Sequence, residues 1–265
     1  MRSLAEKKLF LLDMDGTIYL DHQLFPDTLP FLEAVKKKKG RYLYLTNNSS
    51  KGVDAYIEKL TGMGVPAEKE DFLTSVDATV VDLKKHYTNE KMYVFGTASF
   101  RAQLAEAGIN VVTSPDEDVK ALVMGFDTEL TFGKLEDACI LLGRGVDYIA
   151  TNPDYVCPTS YGSVPDCGSI AQILHTATGR MPRFIGKPRP EMILLALEKT
   201  GYTKEDTVLI GDRVYTDIAS GVHAGIDTVL VLSGEGTVAD AEAGAEKPTY
   251  IMKDIGEVRR AIEKA

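Results

Sequence analysis

Short apolar runs alternate with longer stretches in which apolar residues recur at helical spacing. Runs at 9–12, 42–45, 92–95, 121–124, 148–150, 208–210 and 228–232 predict buried strands. Segments near 30–38, 55–63, 100–107, 135–142, 170–177 and 191–199 predict the helices between them. Pro190 stands just before Glu191, where its missing N–H costs a helix nothing, and Gly201 follows Thr200 as a stop. Strand–helix alternation of this kind implies an α/β protein with a doubly wound, mostly parallel sheet and helices on both faces. The middle of the chain carries an alternation of its own. It predicts an inserted α/β domain over 79–183, interrupting a core made of 1–78 and 184–265.

Composition narrows the class. The 265 residues are 44% hydrophobic and 26% charged, enough to bury a large core. A net charge of -9 disfavours a nucleic-acid polymer as partner, since no basic surplus offsets phosphate repulsion. Small anionic substrates remain compatible with it, because local charge in a cleft matters more than the total. The run Lys36-Lys37-Lys38-Lys39 ends a predicted helix and reads as a solvated end suited to the dipole. Cys139, Cys157 and Cys167 are odd in number and lack metal spacing, so free thiols in a reducing, cytoplasmic compartment are expected. The first eight residues are polar and show no leader pattern, and no apolar run approaches membrane-spanning length, so no membrane partner is expected. The four histidines form no metal pair.

The candidate chemistry sits where predicted strands end. Asp13-Met14-Asp15-Gly16-Thr17 follows strand 9–12, at the sheet edge where α/β proteins bind ligands. One carboxylate there can attack as a nucleophile while the other moves protons. Asp-x-Asp-Gly is also ordinary turn chemistry. Thr46, Asn47 and Asn48, with Ser49 and Ser50, end strand 42–45 in small donors that suit phosphate oxygens or cap a helix. Lys187 precedes a helix start and can add a point charge to a bound anion, or sit in an exposed loop. Asp212 and Asp217 follow strand 208–210. Asp13 with Asp212 makes a reasonable oxygen pair for Mg²⁺, and Asp217 reads as a helix cap or as a support to that pair. Gly234-Glu235-Gly236-Thr237-Val238-Ala239 matches a dinucleotide-binding turn but comes near the end of the sheet, where such a turn is out of place.

In this order the motifs resemble the haloacid dehalogenase superfamily of phosphotransferases. Asp13-x-Asp15-Gly16-Thr17 looks like its first motif, Thr46 its second, Lys187 its third and Gly211-Asp212…Asp217 its fourth. The large insertion between Thr46 and Lys187 resembles that of the NagD-like branch, with a Rossmann-like core and a type-two α/β cap. The resemblance implies a Mg²⁺-dependent phosphatase acting on a small phosphorylated metabolite of nucleotide, sugar phosphate or para-nitrophenyl phosphate type. It implies an aspartyl-phosphate on Asp13, with Asp15 as acid and base and its backbone carbonyl on the metal. Thr46, Asn47, Asn48 and Lys187 would hold the phosphate, Asp212 would ligate the metal, and Asp217 would lie behind it. Relatives often pair, so a homodimer is possible. Cap contacts are expected from 152–162, including Tyr155, Cys157 and Tyr161. Pyridoxal phosphatases of the branch typically carry histidine where Cys157 stands, which argues against that substrate. Two other readings share the core residues: a phosphotransferase or mutase, and a phospho-aspartate signalling module. Asp at position 15, where the related transport ATPases carry threonine, favours rapid hydrolysis.

Overall fold

A computed structural model describes residues 3–159 and 161–264. The chain forms two compact units. The first comprises residues through Thr46, Val53–Leu73, and Lys187 onward; the second comprises Asn47–Gly52 and Thr74–Gly186.

The first unit is built on a six-stranded sheet. Its order runs Tyr250–Met252, Asp227–Val231, Thr207–Gly211, Leu9–Leu12, Arg41–Thr46, Phe72–Thr74. Leu9–Leu12 is central and parallel to both neighbours, with Leu9 opposite Thr207 on one side and Arg41 on the other. All four of its residues are buried. A continuous rather than alternating apolar strand is what a sheet covered on both faces requires. Phe10 meets Phe31 of helix Thr28–Lys37 edge-on at 5.8 Å, within a core that also holds Tyr44, Ile210 and Val258. Only a short hairpin, Tyr19–Leu20 with Gln23–Leu24, lies between Thr17 and that helix.

The second unit has its own parallel sheet, ordered Arg183–Phe184, Asp147–Ala150, Val119–Met124, Lys91–Phe95, Val111–Val112. Phe95, Leu122, Leu141 and Leu174 fill a separate core. An antiparallel hairpin pairs Val156–Thr159 with Gly162–Pro165.

The longer segment of this unit, Thr74–Gly186, opens with helix Ser75–His86, which is absent from the predicted elements. Thr74 accepts from the Asp77 N–H, and the Asp77 carboxylate accepts from the Thr74 N–H in return. That capping box was available in Thr74-Ser75-Val76-Asp77. The lysine run differs from a purely solvated end. The Lys36 ammonium lies 5.4 Å from the Tyr42 ring, and Lys38 donates to Ala5 O and, at 2.8 Å, to Ile262 O. Among the described residues no helix is long and apolar enough to cross a membrane.

Candidate active site

Three strand ends of the first unit meet around Asp13. The Asp13 N–H donates to Ile210 O at 2.9 Å, so Asp13 extends the parallel ladder by one residue before the chain turns. Met14 O then accepts from the Thr17 and Ile18 N–H groups. Gly16 sits in that turn at φ +83°, and a Cβ there would lie 2.4 Å from Asp212 Oδ2. Glycine is needed both for the backbone and for the approach.

Lys187, 3% exposed, places its ammonium 2.5 Å from Asp13 Oδ1 and 2.7 Å from Asp217 Oδ1. It also reaches Leu45 O, one residue before Thr46, at 3.5 Å. Thr46 is buried at the end of its strand. Carboxylate oxygens of Asp13, Asp212 and Asp217 all lie within 4.8 Å of one another. Three carboxylates facing one ammonium leave a negative excess in a buried space. Asp13 is accordingly held well above the usual carboxylate range, by burial first and then by Asp217, with Lys187 opposing. Asp212 is pushed up to about 6, again by burial and then by Asp217. Burial works against the Lys187 charge, but Asp13 and Asp217 outweigh it and raise its pKa.

Two devices hold the acidic residues. Asp217 lies in a single π turn, Val214–Ile218, and its Oδ2 accepts from the Arg213 N–H at 3.1 Å. It therefore grips the start of its own turn rather than capping a following helix, and Gly211 leaves room for it, a Cβ there lying 2.3 Å from Asp217 Cβ. Asp212 Oδ2 accepts from the Glu235 N–H at 2.8 Å, and Asp212 O from the Gly236 N–H at 2.8 Å. A Cβ on Gly234 would fall 2.1 Å from Asp212 Oδ2. The glycine run that mimics a dinucleotide turn is the cradle of Asp212. Arg213 pairs with Glu235 at 2.9 Å.

The other Asp212 oxygen, Oδ1, is buried and has no hydrogen-bond partner among the described residues. A buried anionic oxygen in that condition is costly. An orphaned acceptor within an all-oxygen donor set fits a hard divalent cation, whose charge would offset the negative excess.

Asp15 is not one of the three converging carboxylates. Its side chain is 43% exposed, and Oδ2 lies 3.6 Å from Lys59 Nζ. Burial of its inner part raises its pKa, while Lys59 and the Asp21 N–H oppose the rise. Asn47 and Asn48 group with the second unit. Asn47 Nδ2 donates to Asp154 Oδ2 at 2.7 Å, and Asn48 Oδ1 accepts from the Ser50 N–H and hydroxyl. In the expected cap segment, Tyr155 and Tyr161 are exposed rather than packed in the core. Lys59 and the Gly234–Gly236 cradle had no assigned role in the sequence. Replacing Lys187 by methionine removes the cation shared by Asp13 and Asp217, at an expected cost of about 3 kcal/mol at neutral pH. Denaturant melts should recover part of that loss at acidic pH, as Asp13 takes up a proton.

Known proteins are similar to this chain in sequence and in fold. A family model described as haloacid dehalogenase-like hydrolase matches residues 10–110, and a second, HAD-hydrolase-like, matches 184–258. The acid sugar phosphatase of Staphylococcus aureus is 34% identical over 261 residues, covering 98% of this chain and 100% of the relative. A crystal structure of the 4-nitrophenylphosphatase of Thermotoga maritima superposes with a TM-score of 0.92 at 41% identity, covering 99% of this chain and 100% of that one. A glycerol phosphate phosphatase from Mycobacterium tuberculosis, crystallised with magnesium, gives a TM-score of 0.92 at 29% identity over 99% of this chain and 80% of that one.

Proposed function

The chain belongs to the haloacid dehalogenase-like hydrolases, in their NagD-like phosphatase branch, and from that premise we propose that it hydrolyses small phosphomonoesters through an aspartyl-phosphate on Asp13, with Mg²⁺ as cofactor. The observation that carries this reading is Asp13 at a strand end, 2.5 Å from a buried lysine and beside two further carboxylates.

Asp13 attacks phosphorus, and the bond from phosphorus to the ester oxygen breaks. Asp15 gives its proton to the departing oxygen and then takes one from the water that attacks the phosphoryl group, returning Asp13 and releasing inorganic phosphate. Lys187 and Thr46 hold the phosphoryl oxygens and offset charge as it develops. Asp217 keeps the Lys187 ammonium aimed at that place. Asp13 and Asp212, with the Asp15 backbone carbonyl, would hold Mg²⁺, which would supply the positive charge that lets an anion approach a dianion. The substrates named for the relatives, an aryl phosphate, sugar phosphates and glycerol phosphate, define the class to test here. Asn47, Asn48 and the 152–162 segment are the proposed additional contacts to phosphate and leaving group. A panel of such esters, assayed for phosphate release with and without Mg²⁺, tests the reading. Release only to an added hydroxyl acceptor would make the protein a phosphotransferase instead.

The carboxylate cluster adds a prediction about pH. Asp212 titrates near 6 in the metal-free fold against 3.8 for an ordinary aspartate. Between these values the folded state binds more protons than the unfolded one, so metal-free stability falls as pH rises through that window. A cation that replaces the proton removes the penalty. The gain in melting temperature on adding Mg²⁺ should therefore be small near pH 5 and grow towards pH 7, and Asp212→Asn should abolish that gain while raising metal-free stability at neutral pH.

A further inference from the structure

We propose that Lys59 is the positioning residue of the Asp15 carboxyl, gripping it from helix Val53–Gly62 with its own ammonium seated on the face of Tyr19. The inference rests on the acid–base role given to Asp15 above.

The construction is local to the first unit. Lys59 follows Tyr56 by three residues, so it flanks the face that Tyr56 and Leu60 bury in the core. That places its stem at the rim of the buried stripe, 22% exposed, with Nζ 3.6 Å from Asp15 Oδ2. The same ammonium stands 3.9 Å from the centre of the Tyr19 ring. A lysine on a flexible stem is a poor positioning device unless something fixes its charged end, and an aromatic face does so. Tyr19 is itself immobilised. It is 2% exposed, and its carbonyl accepts from the Gly16 N–H in the turn that follows Asp15. The Asp21 backbone N–H also favours the charged Asp15 carboxylate. Lys59 and the 19–21 hairpin thus hold the group from two sides.

An exposed carboxyl without such a grip samples several rotamers, and only one delivers its proton to the leaving oxygen. A plain surface ion pair, by contrast, contributes little and would leave catalysis alone. Leaving-group dependence separates the two, because kcat/KM reports steps only through formation of the phosphoenzyme. Nitrophenolate departs without a proton, whereas an alkoxide needs one.

The test compares kcat/KM for 4-nitrophenyl phosphate and glycerol phosphate in wild type, Asp15→Asn, Lys59→Met, Lys59→Gln and Lys59→Arg. Asp15→Asn is expected to lose about 100-fold more on glycerol phosphate than on the aryl ester. Lys59→Met and Lys59→Gln should lose about 10-fold more on glycerol phosphate, and Lys59→Arg should recover most of that gap. The glutamine variant keeps a polar stem, so the result does not depend on one substitution folding well. If both neutral variants lose equally on the two esters, or not at all, while Asp15→Asn keeps its gap, Lys59 is a surface partner only. If Asp15→Asn shows no gap, the acid role of Asp15 fails and this proposal falls with it.

Discussion

Asp13→Asn is expected to lower kcat by about 10⁵-fold or more, to the limit of detection, while leaving the protein folded. The amide presents no anionic oxygen, so the covalent route closes rather than slows. Folding should survive because Lys187 keeps its second partner, Asp217 Oδ1 at 2.7 Å, and the substitution removes one negative charge from a crowded cluster. The metal-free variant should therefore melt no lower than wild type at neutral pH. Phosphate release followed beside a thermal melt checks both halves. Asp13→Ala should behave alike and cannot revert by deamidation.

Gly234→Ala is expected to lower kcat/KM by about 100-fold although Gly234 touches no substrate in the mechanism proposed. The three atoms nearest to a Cβ at that position all belong to the Asp212 side chain, at 2.1, 2.6 and 2.7 Å. One added methyl must displace the carboxylate that offers its unpartnered oxygen to the cation. The Mg²⁺ concentration for half-maximal activity should rise, and the gain in melting temperature with Mg²⁺ should shrink. Gly62→Ala is the control, since among the described residues no atom beyond its chain neighbours and its own helix backbone lies within 4 Å of a Cβ there. It should leave both readouts unchanged.

These two positions show what could be read from the chain and what could not. Asp13 is legible because an apolar run delivers it to a strand end, and strand direction fixes which end that is. The same logic reaches Thr46 and Asp212, whose strands flank Leu9–Leu12 in parallel register. Lys187 lies on no strand, and only the resemblance of its motif to the third of a series placed it there. Gly234 read as a false dinucleotide turn because the glycine pattern reports only that backbone must come close to something. What it approaches is Asp212, more than twenty residues away in sequence, and no local pattern encodes that. Asn47 and Asn48 follow Thr46 directly, yet they group with the second unit. The deciding partner of Asn47 is Asp154, 107 residues further on. Lys59 is a helix-rim lysine like many others until the fold brings Asp15 and Tyr19 beside it.

Hydrolysis as proposed passes through a phosphoryl group on Asp13, and Asp15→Asn protein is the means to see it, since that variant lacks the base that clears it. Mixed with 4-nitrophenyl phosphate and Mg²⁺ and quenched in acid, it should show a burst of nitrophenolate equal to the enzyme sites. Mass spectrometry should then find a phosphoryl increment on the peptide that contains Asp13. An unmodified peptide and no burst, from a preparation whose wild type releases phosphate, would rule out the aspartyl-phosphate.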